Sequence, residues 1–127
     1  MSTRSELLRV LISDDDPMIR DALREVLEAE PDIAVVGTAS DADEAVALAE
    51  RHSPEVVVLD VRMPGGGGPR AARRILAHAP RTRILAFSAY DDSGTVAEMM
   101  SAGIVEYLLK GAPNTEIVAA VRRAGTH

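Results

Sequence analysis

The sequence predicts an α/β domain in which a parallel five-stranded sheet carries helices on both faces. Three observations predict it. Five short runs rich in β-branched and apolar residues recur along the chain, separated by helix-length segments with apolar residues at helical spacing. The third run, Val56 to Leu59, reads VVVL with no polar position, as a strand does when both of its faces are covered. Helix start and stop residues fall between the runs, so strand and helix alternate five times. Alternation of this kind requires crossovers, and right-handed crossovers distribute the helices over the two faces of a parallel sheet.

Each element has its own signal. The first strand is read at Val10 to Ser13. Asp16 followed by Pro17 opens the next helix, since the carboxylate can accept from an unused backbone N–H and proline lacks one. Leu23, Val26 and Leu27 give that helix an apolar stripe, and Pro31 is expected to stop it. The second strand runs from Ile33 to Gly37. Asp41 with Glu44 three residues on is a capping-box pattern for the second helix. After the VVVL strand, Gly65 to Gly68 reads as a pliable loop, because it lacks both the GK[ST] ending of a nucleotide-binding loop and the GxGxxG spacing. Ile84 to Phe87 is the fourth strand, and Gly103 a left-handed stop for the helix ending near Ala102. Tyr107 to Leu109 is the fifth strand, and Ile117, Val118 and Val121 stripe the last helix.

Composition bounds the function. With 127 residues, 46% of them hydrophobic, residues 1–127 are expected to form one domain with one core. The absence of cysteine excludes a disulfide scaffold, a thiolate metal site and a cysteine nucleophile, and fits a reducing compartment. No apolar run is long enough to cross a bilayer, so the expectation is a soluble cytoplasmic protein with no membrane partner. A formal net charge of −6 repels phosphate backbones and argues against direct nucleic-acid binding. Phe87, Tyr90 and Tyr107 are too few for base stacking or a flavin sandwich. Arg70, Arg73 and Arg74 read as a solvated helix face. His52, His78 and His127 lack metal-ligand spacing, and the first two fall where helix C-termini are expected.

In a doubly wound sheet, function collects at the carboxyl ends of the strands. There the sequence places Asp14, Asp15 and Asp16 after the first strand, Asp60 after the third, Ser88 after the fourth and Lys110 after the fifth. Asp60 follows four apolar residues, so its carboxylate emerges beside a dry core, where charge is costly unless paired or bound to metal. Carboxylates from the first loop would repel it, and a hard divalent cation such as Mg²⁺ relieves that repulsion through oxygen ligands. Lys110 and Ser88 offer a point charge and a hydroxyl for phosphoryl oxygens, which makes Asp60 a candidate nucleophile forming an acyl phosphate. Singly, these residues have ordinary readings: a loop acid, a turn serine, a solvated lysine, an edge-strand tyrosine at Tyr107. Their conjunction at four strand ends is what points to phosphoryl chemistry.

The stretches VLISDDDPMIR (10–20), VVVLDVRMPGGGG (56–68), ILAFSAYDD (84–92) and EYLLKGAP (106–113) resemble the four signature segments of response-regulator receiver domains of bacterial two-component signalling. The DDxPMIR and YLLKGA phrasing is most similar to the NarL/FixJ-type subgroup. The resemblance covers about residues 7–123 and implies a flavodoxin-like fold with strand order 2-1-3-4-5 and five helices. It implies Asp60 as phosphoacceptor, Asp15 as a direct Mg²⁺ ligand, Asp14 as an outer-sphere one, and the Arg62 backbone carbonyl as a further ligand. Ser88 and Lys110 would bind phosphoryl oxygens, and Tyr107 would be the switch that turns inward with Ser88. A sensor histidine kinase is the implied donor and homodimerisation an implied response, carried by the surface of the fourth helix, fifth strand and fifth helix. DNA would be reached only through an output domain, which residues 1–127 do not include. Such a domain assists only its own phosphorylation and dephosphorylation and is not an enzyme acting on other substrates. Departures are Gly111 after Lys110 where the family commonly has proline, Gly65 to Gly68 in place of a bulkier loop, and Glu106 where the subgroup often has glycine. Three consecutive aspartates leave the register of the acidic pair open by one, although the Pro17 helix start favours Asp14 and Asp15. Two rivals fit less well. An aspartyl phosphohydrolase wants a second acid two residues beyond Asp60, where Arg62 stands, and a flavin binder wants aromatics and a phosphate loop.

Overall fold

The computed structural model describes residues 7–127. In chain order the elements are β1 (Leu8–Ser13), α1 (Pro17–Glu28), β2 (Ile33–Ala39), α2 (Ala42–His52), β3 (Val56–Asp60), α3 (Gly67–His78), β4 (Arg83–Ser88), α4 (Ser93–Ser101), β5 (Glu106–Leu109) and α5 (Asn114–Gly125). All strand pairs are parallel and the sheet order is β2-β1-β3-β4-β5. This is the fold expected from the sequence. Because β2 and β3 pack on opposite sides of β1, the chain reverses its winding there, and a crevice opens beyond the carboxyl ends of β1 and β3.

The alternation of side chains divides the interior. Leu11, Val57, Leu59, Ile84 and Ala86 pack beneath α2, α3 and α4, together with Ala45, Ile75 and Met99. Val10, Ile12, Val56, Val58, Leu85 and Phe87 pack on the other face against α1 and α5, with Leu23, Leu27 and Val121. Every residue of β3 is buried, which is why that strand shows no polar alternation. Among the described residues no helix is long and apolar enough to cross a membrane.

The structure refines four local readings. Helix α1 ends at Glu28, ahead of Pro31; the Ala29 N–H bonds the Glu25 carbonyl at 3.2 Å and the Glu30 N–H the Leu27 carbonyl at 3.1 Å, which closes the last turn before proline could break it. At α2, Asp41 accepts from the Glu44 N–H at 2.8 Å, but the returning Glu44 carboxylate takes the Ser40 N–H at 2.7 Å rather than that of Asp41. The capping box is thus shifted by one residue on its return arm. The β1–β2 register slips between Val10 and Leu11, where Leu11 pairs with Gly37 and Val36 is skipped. Finally, Gly65 to Gly68 is more than a pliable loop. Gly66 caps α3 and Gly67 and Gly68 begin it, with a run of positive φ from Gly65 to Gly67 that favours glycine. A Cβ on Gly68 would lie 2.8 Å from the Val61 Cα and 3.0 Å from the Asp60 carbonyl oxygen, so only glycine lets α3 start this close to the end of β3.

Candidate functional site

The strand ends bring together the residues singled out in the sequence. Asp14 leaves β1 wholly buried, with Oδ1 accepting from the Asp16 N–H at 3.0 Å. That bond folds the acidic loop back on itself and turns Asp15 out to solvent. Asp16 caps α1 through the Met18 N–H at 2.9 Å, so the first-loop carboxylates grouped with Asp60 are those of Asp14 and Asp15. The Arg20 guanidinium holds the same loop by donating to the Asp14 carbonyl at 2.8 Å. Asp60, only 4% exposed, ends β3 next to Asp14. Carboxylate oxygens of Asp14, Asp15 and Asp60 lie within 4.8 Å of one another.

Lys110 crosses from the end of β5 to this cluster, with its Nζ 2.8 Å from Asp14 Oδ2 and 3.3 Å from Asp60 Oδ1. Beyond this Lys110 contact, the buried Asp14 Oδ2 has no other partner among the described residues. Asp60 Oδ1 also accepts from the Arg62 N–H at 3.2 Å; the other oxygen of Asp60 carries no hydrogen bond from the described residues. Burial, and then the charge of Asp14, push the Asp60 pKa up to about 6, with the Arg62 N–H and Lys110 offsetting them only in part. Burial works against the Lys110 charge, yet the close Asp14 contact and the fields of Asp60 and Asp14 outweigh it and raise the Lys110 pKa.

Ser88 ends β4 with its side chain buried, and its Oγ accepts from the Tyr90 N–H at 3.0 Å. A hydroxyl in that position still has its own proton to donate. Tyr107, on the edge strand β5, is half-buried against the α2–α3–α4 side of the core and donates its hydroxyl to the Tyr90 carbonyl. The inward-turning motion expected of Tyr107 therefore starts from a ring already partly packed.

Sequence reasoning overlooked Tyr90 and the side chain of Arg62. The Arg62 guanidinium sits 4.0 Å above the Tyr90 ring, bridging the loop after β3 to the loop after β4. No spacing rule announces such a pair, because its members belong to different loops and meet only through the sheet order. Two of the remaining candidates make surface ion pairs. Arg74 of the basic face is paired with Asp43 at 2.7 Å, and His78 with Glu50 at 3.1 Å.

A five-stranded 2-1-3-4-5 sheet with a carboxylate cluster and a lysine over its carboxyl edge defines a class of signalling domain, and the comparisons identify it. The family model for the response regulator receiver domain matches residues 10–122, and the chain belongs to that family. Relatives include the transcriptional regulatory protein LiaR of Bacillus subtilis, 39% identical over 118 residues, and the Mycobacterium tuberculosis transcriptional regulatory protein NarL, 37% identical over 116. These alignments cover 93% and 91% of this chain but 56% and 54% of the relatives, so the chain spans about half the length of the curated relatives it matches. Among solved structures, the signal receiver domain of NarL from M. tuberculosis superposes with a TM-score of 0.92 at 36% identity, covering 95% of this chain and 98% of that one. A LuxR-family two-component response regulator from Aurantimonas sp. SI85-9A1 superposes with a TM-score of 0.90 at 33% identity, covering 94% and 86%. The chain is thus a receiver domain of the NarL/LuxR type, a signalling module whose relatives regulate transcription.

Proposed function

We propose that this receiver takes a phosphoryl group on Asp60 from the phosphohistidine of a sensor histidine kinase and changes the surface formed by α4, β5 and α5 in response. The observation that carries the reading is the convergence of Asp14, Asp15 and Asp60 within 4.8 Å with Lys110 set against two of them. The donor set suits a hard cation: all oxygen, one acid exposed to solvent, and one buried oxygen, Asp14 Oδ2, whose one partner among the described residues is Lys110. Asp15 and Asp60, with the backbone carbonyl of Arg62, would hold Mg²⁺ directly and Asp14 from the outer sphere. When bound, the ion neutralises charge between carboxylate and phosphoryl oxygens during in-line transfer.

The chain's own groups do the rest. Lys110 and the Arg62 N–H hold Asp60 Oδ1, leaving the second carboxylate oxygen as the nucleophile. That oxygen forms the O–P bond as the donor's N–P bond breaks, and the electron pair returns to the imidazole nitrogen. Lys110 and the Ser88 hydroxyl then contact the transferred oxygens, and Ser88 draws on Tyr90 and Tyr107. Homodimerisation through the changed surface, and DNA binding through an output domain like those expected in the longer relatives, belong to the same proposal. Incubation with acetyl phosphate and Mg²⁺ should add the mass of one phosphoryl group; Asp60→Asn should abolish the shift and EDTA suppress it. Full modification of the Asn variant would overturn the assignment.

A further inference from the structure

Resting on the phosphoacceptor reading above, we propose that Arg62 is an additional phosphoryl ligand: its guanidinium leaves the face of Tyr90 and turns to the phosphoryl oxygens on Asp60. Arg62 is anchored where this exchange is short. Its backbone N–H already bonds Asp60 Oδ1 at 3.2 Å, while its guanidinium, 4.0 Å over the Tyr90 ring, makes no ion pair among the described residues. By contrast, Arg74 is engaged with Asp43, Arg122 with Glu30 and Asp32, and Arg123 with Glu106 and Glu116. The unmodified site is an acidic cluster whose close cation is Lys110. A phosphoryl group adds about −1.5 to −2 charge by analogy with phosphoserine, more than Lys110 can balance.

The two positions differ in energy in the required direction. A guanidinium over an exposed aromatic face is weakly held, whereas a charge-assisted hydrogen bond to a phosphoryl oxygen is stronger and geometrically suited to arginine. Departure of Arg62 also releases what it holds. Tyr90 is bound at three points: by N–H to Ser88 Oγ, by carbonyl to the Tyr107 hydroxyl, and by its ring to Arg62. Loss of the third contact frees the loop after β4 to follow Ser88 toward the phosphoryl group and to carry Tyr107 with it.

Nuclear magnetic resonance of the Arg62 side chain tests this, with beryllofluoride and Mg²⁺ as the probe. Ring current from Tyr90 should hold the Arg62 side-chain protons upfield in the unmodified protein, and Tyr90→Ala should remove that displacement. Saturation with beryllofluoride should return them to the ordinary arginine range, and Arg62→Ala should weaken beryllofluoride binding about fivefold, Arg62→Lys less. Saturation with Arg62 still upfield, or unchanged affinity in the alanine variant, would overturn the inference alone. If beryllofluoride leaves the Asp60 and Lys110 amides unmoved, the phosphoacceptor reading falls and this inference with it.

Discussion

Asp60 holds a proton at a pH where an exposed aspartate would have lost it, and the consequence for stability has a definite sign. Its native pKa of about 6 exceeds the 3.8 of an unperturbed aspartate, so between these values the folded state binds the extra proton. Ionised Asp60 therefore costs the metal-free fold nothing below about pH 4, a growing amount as pH rises toward 6, and a constant amount above. Asp60→Asn should raise the melting temperature of the metal-free protein at pH 7, and the difference should shrink to nothing as pH falls toward 4. Paired thermal melts from pH 4 to 8 check it; a gap independent of pH would show that the gain comes from packing and not from charge. On the proposed function, the same burial that makes Asp60 costly suits it to act as a nucleophile, since a carboxylate relieved of water attacks more readily once its charge is matched. Asp60, Ser88 and Lys110 were legible as candidate site residues because each ends or directly follows a strand. Arg62 and Tyr90 were not, because a side chain's reach between two loops is set by tertiary packing and leaves no periodic trace.

At the scale of elements, the junction of β3 and α3 sets the position of Asp60. The Gly68 N–H donates to the Val61 carbonyl at 2.7 Å, and its missing Cβ is what allows the approach. Gly68→Ala should cost about 1–3 kcal/mol, as overpacking against backbone does, and should displace the Asp60 main chain. Chemical denaturation measures the first effect and the amide shifts of Asp60 and Val61 the second; an alanine variant with wild-type stability would show that α3 can slide. The sequence made the glycine run visible but not its use, because whether glycine supplies mobility or close contact depends on what lies opposite. Caps and strand cores were readable for the contrary reason: Asp16 with Pro17, Asp41 with Glu44, and VVVL act through neighbours in sequence. Helix α1 ended earlier than Pro31 suggested because a completed C-terminal turn at Ala29 was enough to stop it.

For the whole molecule, folding and ion binding are linked through the same acids. A ligand that binds only the native state stabilises it by RT ln(1 + [L]/Kd), so Mg²⁺ should raise the melting temperature in a saturable manner. Asp15→Asn should shift that titration to higher Mg²⁺ while leaving the metal-free melt unchanged or slightly higher, since it removes repulsion together with a ligand. An unaltered titration would transfer the ligand role to Asp14. The sheet's division of the interior into two half-cores also decides where the molecule opens first. Of the residues of α4, only Met99 is buried, against four in α2, four in α3 and five in α5. Helix α1 buries just two, but its partly buried Ile19 and Val26 pack against the same half-core as Leu23 and Leu27. The free energy that fastens α4 is therefore the smallest share of the total, and its amides should exchange with deuterated solvent ahead of those in the other helices. A receiver built this way keeps its global fold at full strength while one helix lies within a small thermal excursion of release. On the proposed function, even a modest electrostatic change at Asp60 should then redistribute that helix between attached and detached states.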